Sequence, residues 1–263
     1  MGRSSEQGLS RRDLLEWLGR GAGLALFSPL IQACSSASRA LGGKDALAPG
    51  DTFTDQGPSV DAPAPDVAAC GDADFRPGPD DVPVAGEWGE RTVDKQDITS
   101  ILANWTLTVD GLADRPRTFT FCDLRDLGLV RQVTDFHCVE GWSIWDVPWD
   151  GVPLATVLDL VGAKPEATWL KFTSVGGTYT ESLAVPVARE PHALLGLGIG
   201  GQTLPLKHGF PCRVVVPRLY GYKNAKYVER IELVTTETVG FWPSYGYTTS
   251  GEVDPSRLRP GHT

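Results

Sequence analysis

The chain has 263 residues, of which 41% are hydrophobic and 22% are charged, and its formal net charge is -9. This acidic balance argues against a nucleic-acid partner, because binding to phosphates needs clustered Lys and Arg. No continuous apolar run reaches the roughly 18 to 20 residues of a membrane span, so membrane attachment must come from another feature. The five cysteines are too few and too scattered for a disulfide framework.

The first 33 residues resemble a twin-arginine export signal of the lipoprotein type. Arg11 and Arg12 precede a modestly apolar run at residues 17–33, and the alternative is an ordinary amphipathic helix. Residues 30–34 resemble a lipobox, in which Cys34 would become the lipidated first residue of the mature chain. Because twin-arginine systems move folded proteins, we expect a cofactor that is inserted before export, and a protein located in the periplasm or cell envelope.

Residues 34–97 are rich in Ala, Pro, Gly, Ser and Asp. Such a composition buries too little apolar surface to offset the entropy of ordering the chain, so it predicts a disordered acidic tether. Cys70 lies in this stretch, and the sequence leaves open whether it is free or disulfide-bonded. Residues 98–263 are long enough to form one domain with a hydrophobic core.

Short helices interrupt a strand-rich pattern in residues 98–263, which predicts an α+β fold rather than a regular βαβ alternation. Helices are predicted at residues 123–127 and at residues 153–161, the latter with proline in its first turn and Gly162 at its end. Strands are predicted at residues 105–109, 117–121, 130–138, 169–175, 179–185, 194–199, 213–216 and 228–234.

Residues 196–201 satisfy the pattern Gly-x-Gly-x-x-Gly. A dinucleotide site needs a helix N-terminus after these glycines to hold the pyrophosphate, whereas here the chain continues through Pro205 into a turn. The pattern therefore predicts a glycine-rich strand followed by a tight turn.

Cys138 lies beside His137 at the end of a predicted strand. It could be a buried thiol, half of a disulfide, a nucleophile paired with His137 or a metal ligand, and a buried thiol is the commonest of these. A nucleophilic pair is disfavoured because adjacent residues on a strand point to opposite faces. A zinc site would need three or four convergent Cys or His ligands, and the chain has four histidines and no Cys-x-x-Cys.

Cationic residues concentrate at residues 208–226, where His208, Arg213 and two lysines lie close together in the sequence. In an acidic chain this concentration favours an anionic ligand, and Arg with backbone amides suits a phosphate. The alternative is a solvated basic turn.

Three motifs, in this order, resemble the molybdopterin-binding domain of the sulfite oxidase superfamily. The first is Cys-Val-Glu-Gly-Trp-Ser followed by Val-Pro-Trp-Asp-Gly-Val-Pro-Leu, within residues 138–154. The second runs from Leu-Pro to Arg-Val-Val-Val-Pro at residues 204–217, and the third is Gly-Tyr-Lys-Asn-Ala-Lys at residues 221–226. The resemblance extends from about residue 98 to residue 255. It implies an oxidoreductase with mixed β-sheets, short helices and a molybdenum–molybdopterin cofactor.

The resemblance also implies roles for individual residues. Cys138 matches the catalytic thiolate that binds molybdenum, a soft ligand for a redox-active metal. The implied cofactor-binding residues are Thr173, His208, Arg213, Asn224, Ala225 and Lys226.

Two departures bear on the substrate. Ser143 and Leu197 stand where sulfite oxidases carry an arginine and a tyrosine facing the oxyanion. The Cys-Val-Glu-x-Trp-Ser string is similar to that of the periplasmic protein-methionine-sulfoxide reductases, and a neutral sulfoxide needs no arginine clamp. We therefore expect oxygen-atom transfer with reduction of a sulfoxide-type substrate. The alternatives are oxidation of a small substrate, as in sulfite oxidases, and a non-catalytic surface-binding lipoprotein that retains the fold.

The asparagine and tyrosine that cap the cofactor upstream in those reductases have no clear counterpart here, so we expect a shortened arm and a more open pocket. No second cofactor motif is visible. The resemblance implies that electrons pass through a separate partner, a membrane haem protein or a c-type cytochrome.

Overall fold

The computed structural model describes residues 70–93 and 95–263. The export signal, the lipobox and residues 35–69 of the predicted tether lie outside these residues. Within the part of the chain that is described, no helix is both long enough and apolar enough to cross a membrane.

The described chain is built from short helices and ten strands. The α-helices are α1 (Ile98–Asn104), α2 (Phe121–Asp126), α3 (Leu154–Val161) and α4 (Val185–Ala188). Single turns of 3-10 helix occur at Asp72–Asp74, Leu206–His208, Gly221–Lys223, Pro243–Tyr245 and Pro255–Arg257. The strands are β1 (Leu107–Gly111), β2 (Arg117–Phe119), β3 (Val130–His137), β4 (Ser143–Pro153), β5 (Trp169–Ser174), β6 (Thr180–Ala184), β7 (Leu194–Ile199), β8 (Gln202–Thr203), β9 (Arg213–Val215) and β10 (Val228–Val234).

The strands form two five-stranded sheets. One has the order β2-β1-β10-β5-β6, and in it β1 and β10 are parallel while the other neighbours are antiparallel. The other has the order β3-β4-β7-β8, with β9 also paired to β7, and all its pairs are antiparallel. The predicted α+β class with mixed sheets and short helices is confirmed.

Local sequence signals explain several boundaries. Thr120 and Asp123 form a capping box that starts α2, and Gly162 ends α3 in the left-handed conformation. The predicted glycine-rich strand and tight turn are β7 and its hairpin with β8, in which Gly200 and Gly201 have φ of 62° and 86°. These positive angles suit glycine, which has no Cβ to clash.

Two elements differ from the sequence prediction. No helix is predicted before the strand at residues 105–109, yet α1 lies there: Asp97 accepts a hydrogen bond from the Thr99 amide at 3.0 Å, and Ile101 is buried. No strand is predicted at residues 143–153, yet β4 runs there at the centre of its sheet. Its prolines, at residues 148 and 153, are unusual inside a sheet.

Residues 70–93, which we call the arm, pack on the domain, so their assignment to a disordered tether is wrong. Cys70 is disulfide-bonded to Cys122 of α2. The Phe75 ring lies 5.3 Å from that of Phe210, measured between centroids, and the Gly78 amide donates to Leu204 O at 2.9 Å. The average composition of residues 34–97 hides the few apolar side chains that this packing uses.

Removing the disulfide is expected to loosen the arm. The two cysteines are 52 residues apart, and a crosslink closing a loop of this size typically stabilises a protein by about 2 to 4 kcal/mol. We expect the double variant C70S/C122S to lose stability in this range in urea unfolding, and to be cleaved faster within the arm during limited proteolysis. Cleavage at the wild-type rate would contradict the view that the disulfide holds the arm in place.

Candidate active site

Cys138 opens the turn that joins β3 to β4, which we call the Cys138 turn (residues 138–142). Its amide donates to Trp142 O at 2.9 Å, and the Gly141 amide donates to Cys138 O at 3.1 Å. Gly141 has φ of 100°, a conformation that glycine adopts readily. Cys138 is half-buried and free, whereas the other free thiol among the described cysteines, that of Cys212, is fully buried. Cys138 is therefore the more exposed of the two free cysteines.

Polar and aromatic groups surround the thiol. Cys138 Sγ lies 3.7 Å from Glu140 Oε2, which also accepts hydrogen bonds from Trp142 Nε1 at 2.8 Å and Arg91 Nε at 2.9 Å. Burial, with a contribution from the Glu140 charge, raises the pKa of the Cys138 thiol. A bound metal cation would reverse this effect, because a coordinating thiol is deprotonated.

His137 does not act as a partner for Cys138. Its Nδ1 lies 2.8 Å from Ser143 Oγ, and its buried Nε2 has no hydrogen-bond partner in the described structure. Burial lowers the pKa of His137, and the nearby Arg257 guanidinium lowers it further. The geometry gives no support for a Cys–His nucleophilic pair.

Arg213, on β9, is a buried cation held between aromatic rings. Its side chain donates to His208 O at 2.9 Å and to Asn224 O at 3.3 Å, and it is 2% exposed. The guanidinium carbon lies 5.1 Å from the Trp149 ring centroid and 5.2 Å from that of Phe136. Burial lowers the pKa of Arg213 to about 10, and no described carboxylate offsets this effect.

Lys226 and His208 lie with Arg213 in the same cationic cluster. Lys226 Nζ donates to Thr92 Oγ1 at 2.6 Å and to Lys207 O at 2.8 Å, while burial and then Arg213 lower the pKa of Lys226 to about 7. Burial, followed by the charges of Arg213, Lys207 and Lys226, lowers the pKa of His208 to about 3. His208 Nε2 is buried without a hydrogen-bond partner among the described residues.

The other predicted site residues lie around this cluster. Thr173 is a half-buried residue of β5, and its neighbour Ser174 donates to Lys226 O at 2.6 Å. Ala225 is buried, and its carbonyl accepts from the Val214 amide at 2.8 Å. The Asn224 side chain is occupied by backbone groups: its oxygen accepts from the Val216 amide, and its nitrogen donates to the carbonyls of residues 219 and 220. Asn224 therefore shapes the loop that presents Lys226.

The arm supplies residues that the sequence prediction missed. The Trp88 ring lies 4.3 Å from the His208 ring between centroids, Arg91 pairs with Glu140, and Thr92 contacts Lys226. The expectation of a shortened arm is therefore wrong, because the arm joins the Cys138 turn to the cationic cluster. In the sequence, the signal for this packing is Trp88, an aromatic residue in a Pro- and Gly-rich stretch.

These side chains fit a molybdenum–molybdopterin group. A buried charge is costly unless it is paired, so Arg213, which has no carboxylate partner among the described residues, calls for an anion. The orphaned Nε2 of His208 is a further site for a polar ligand atom. Cys138 offers the soft sulfur that a thiophilic metal prefers, while Arg213 and Lys226 suit the phosphate of the pterin.

A half-buried thiol that could bind a metal, on a turn that the arm links to cations that could bind a phosphate, is the arrangement of a cofactor-dependent redox protein. Residues 93–242 match the family model described as "Oxidoreductase molybdopterin binding domain". The chain belongs to this family, which confirms its recognition as a molybdopterin-dependent oxidoreductase and its molybdenum cofactor.

Curated relatives support the same family. The chain is similar to the protein-methionine-sulfoxide reductase catalytic subunits MsrP of Gluconobacter oxydans (38% identity, 52% of this chain and 49% of the relative) and Xanthomonas axonopodis pv. citri (30% identity, 75% of each). It is also similar to the uncharacterized oxidoreductase YuiH of Bacillus subtilis (33% identity, 57% of this chain and 76% of the relative). The chain spans about half the length of the Gluconobacter oxydans relative and of two further curated relatives.

Among solved structures, the chain is similar to the sulfane dehydrogenase SoxCD from Paracoccus pantotrophus. The identity is 25% and the TM-score is 0.47, over 51% of this chain and 39% of that chain.

The depressed pKa of His208 predicts how the stability of the cofactor-free protein depends on pH. Folded His208 is neutral down to about pH 3, whereas an unfolded histidine takes up a proton near pH 6.5. Because the unfolded state binds more protons in this window, the free energy of unfolding falls as the pH drops from 6.5 towards 3. Between pH 6.5 and 4 we expect His208 to contribute a loss on the order of 2 to 3 kcal/mol.

The measurement is urea unfolding of wild type and H208Q across this range of pH. The variant should lose less stability than wild type as the pH falls. An equal loss in both proteins would mean that His208 is not held neutral in the folded state.

Proposed function

We propose that this protein is an exported, lipid-anchored oxidoreductase that uses a molybdenum cofactor to reduce a sulfoxide-type substrate. The observation that carries the proposal is the half-buried free thiol of Cys138, on a turn that the arm links to the cluster around Arg213, a buried cation without a carboxylate partner among the described residues. The reaction consumes two electrons and two protons, and it converts a sulfoxide into a sulfide and water. We propose a membrane haem protein or a c-type cytochrome as the electron donor.

The chain's own residues would have distinct roles in this reaction. Cys138 would bind the metal, and Arg213, Lys226 and His208 would hold the pterin and its phosphate. When bound, the cofactor supplies a two-electron couple that can exchange an oxygen atom with the substrate. The arm would exclude water from the cationic cluster, because Trp88 packs on His208.

A neutral sulfur substrate suits the surface next to Cys138. Val139 is exposed and Trp142 is half-exposed, and both flank the thiol in the Cys138 turn. Ser143, at the beginning of β4, has an uncharged side chain, whose hydroxyl contacts His137 Nδ1 and the Arg257 guanidinium. Similarity to proteins named as methionine-sulfoxide reductase catalytic subunits supports a sulfoxide.

Export is supported by two independent features. Disulfides persist in oxidising compartments, and Cys70 and Cys122 form one. The twin-arginine and lipobox patterns in the first 34 residues point the same way. The test is cell fractionation: R11K/R12K should retain the protein in the cytoplasm, and C34A should release it from the membrane fraction. Wild-type protein found in the cytoplasm would contradict the proposed location.

The function is tested on protein purified with its native signal from a host that makes molybdopterin. We expect metal analysis to find stoichiometric molybdenum, and reduced viologen to drive the reduction of methionine sulfoxide. Folded protein without molybdenum would contradict the cofactor assignment. Oxidation of sulfite with ferricyanide, without reduction of sulfoxides or N-oxides, would overturn the proposed substrate.

A further inference from the structure

The 3-10 helix Pro255–Arg257 lies against the Cys138 turn. Arg257 Nη1 donates to Cys138 O at 3.2 Å, and Nη2 donates to Trp142 O and to Ser143 Oγ, each at 2.9 Å. The same guanidinium lies 5.6 Å from the Tyr220 ring centroid. One side chain therefore bridges both ends of the turn, although Arg257 and Cys138 are 119 residues apart in sequence.

We infer that Arg257 is a positioning residue for Cys138: its guanidinium fixes the turn and so sets the orientation of the thiol. The inference deepens the proposed function, since it rests on Cys138 as the metal ligand. Arg257 lies outside the matched family region, which ends at residue 242.

The Cys138 turn has few other restraints. Two backbone hydrogen bonds close it, and residues 139–141 are exposed. The ion pair between Arg91 and Glu140 holds the turn from the arm, but both side chains are largely exposed, and such pairs contribute little. Arg257 is half-buried, and its hydrogen bonds carry a full charge on the donor, which makes them stronger than neutral ones.

The shape of the guanidinium matters as much as its charge. Its nitrogens lie in a fixed plane, so two of them can donate to Cys138 O and Trp142 O together. A lysine at residue 257 would keep the charge but offer a single nitrogen. We therefore expect R257K to restore only part of the restraint.

Neighbouring contacts keep Arg257 in place. Two residues further on, Arg259 Nε donates to Asp135 Oδ2 on β3 at 2.7 Å, and its Nη2 donates to Asp146 Oδ1 on β4 at 2.7 Å. The Asp135 amide in turn donates to His262 O at 3.1 Å. Residues 255–262 thus follow the β3–β4 hairpin, with Arg257 at its turn and Arg259 on its strands.

The test compares R257Q and R257K with R115Q. Arg115 is a matched control because it also donates to two backbone carbonyls, those of residues 159 and 160, at the end of α3. The first readout is the rate at which iodoacetamide alkylates Cys138 in cofactor-free full-length protein, followed by peptide mass spectrometry. We expect a rise of about 10-fold in R257Q, a smaller rise in R257K and none in R115Q.

The second readout is the electron paramagnetic resonance spectrum of partly reduced, molybdenum-loaded protein, which reports the orientation of the cysteine sulfur. We expect the spectrum to shift in R257Q and to stay unchanged in R115Q. Wild-type alkylation rates and spectra in both Arg257 variants would overturn the inference. If R257Q does not fold, the alkylation rate and the spectrum of R257K, each compared with wild type, test the inference instead. Wild-type protein without molybdenum would contradict the proposed function instead, and the alkylation assay would still test Arg257.

Discussion

Replacement of Cys138 by serine is expected to remove molybdenum from the protein and to lower reductase activity by more than about 100-fold. Loss of an outer-shell partner of a metal ligand typically costs 10- to 100-fold in affinity or activity, so loss of the ligand itself should cost more. A serine hydroxyl is a poor substitute, because it stays protonated and is a hard donor. The fold should change little, because Cys138 is half-buried in a turn and forms no disulfide.

The control for this variant is C212A, which removes the other free thiol among the described residues. Cys212 is fully buried, and burial raises its pKa, so it is a core thiol rather than a ligand. C212A should lose some stability by leaving a small cavity, but it should keep its molybdenum. Metal analysis and viologen-linked activity measure both variants. Molybdenum retained in C138S would contradict the role of Cys138 as the metal ligand, and a function unchanged by this substitution would favour a non-catalytic binding protein.

Local patterns in the sequence predicted much of the fold. The predicted strands at residues 194–199 and 228–234 coincide with β7 and β10, because runs of apolar and β-branched residues there end at turn residues. Both β4 and α1 were missed for physical reasons. Prolines argue against β4, and α1 is a short helix that depends on the Asp97 cap and on burial of Ile101.

The candidate site was predictable where its residues are close in sequence and missed where distant segments meet. Arg213 and Lys226 belong to one cationic stretch, so charge alone pointed to them. The contact between Thr92 and Lys226 joins residues 134 positions apart, and no local periodicity reports such a pair. The composition of the arm indicates disorder because composition is an average over many residues. Phe75 and Trp88, in contrast, each stabilise the arm through aromatic packing.

Arg213 and Lys223 are both buried cations, and we expect their replacement to have opposite effects on the free energy of unfolding. This difference tests the role of the cationic cluster. Arg213 has no carboxylate partner among the described residues, whereas Lys223 Nζ lies 2.7 Å from Glu181 Oε1, and this lysine and this glutamate are both buried. Removing one partner of a buried ion pair is strongly destabilising, because it leaves the other charge uncompensated. Removing an unpaired buried charge relieves a cost instead.

We therefore expect K223M to lower the free energy of unfolding of the cofactor-free protein by about 3 to 5 kcal/mol. In R213M the lost hydrogen bonds to the carbonyls of residues 208 and 224, worth about 1 kcal/mol each, are offset by relief of the buried charge. The free energy of unfolding of R213M should be unchanged or higher. Urea unfolding of both variants without cofactor measures the difference.

Measuring cofactor binding should show whether Arg213 binds the anion or supports the fold. In R213M the phosphate of the pterin would lose its buried cation, and truncating one partner of such a pair costs about 2 to 5 kcal/mol in affinity. We expect R213M to retain little molybdenum after purification although it folds as well as wild type. Correctly folded K223M should retain its molybdenum, because Lys223 is already neutralised by Glu181. If R213M unfolds as readily as K223M while holding its cofactor, Arg213 supports the fold and does not bind the anion.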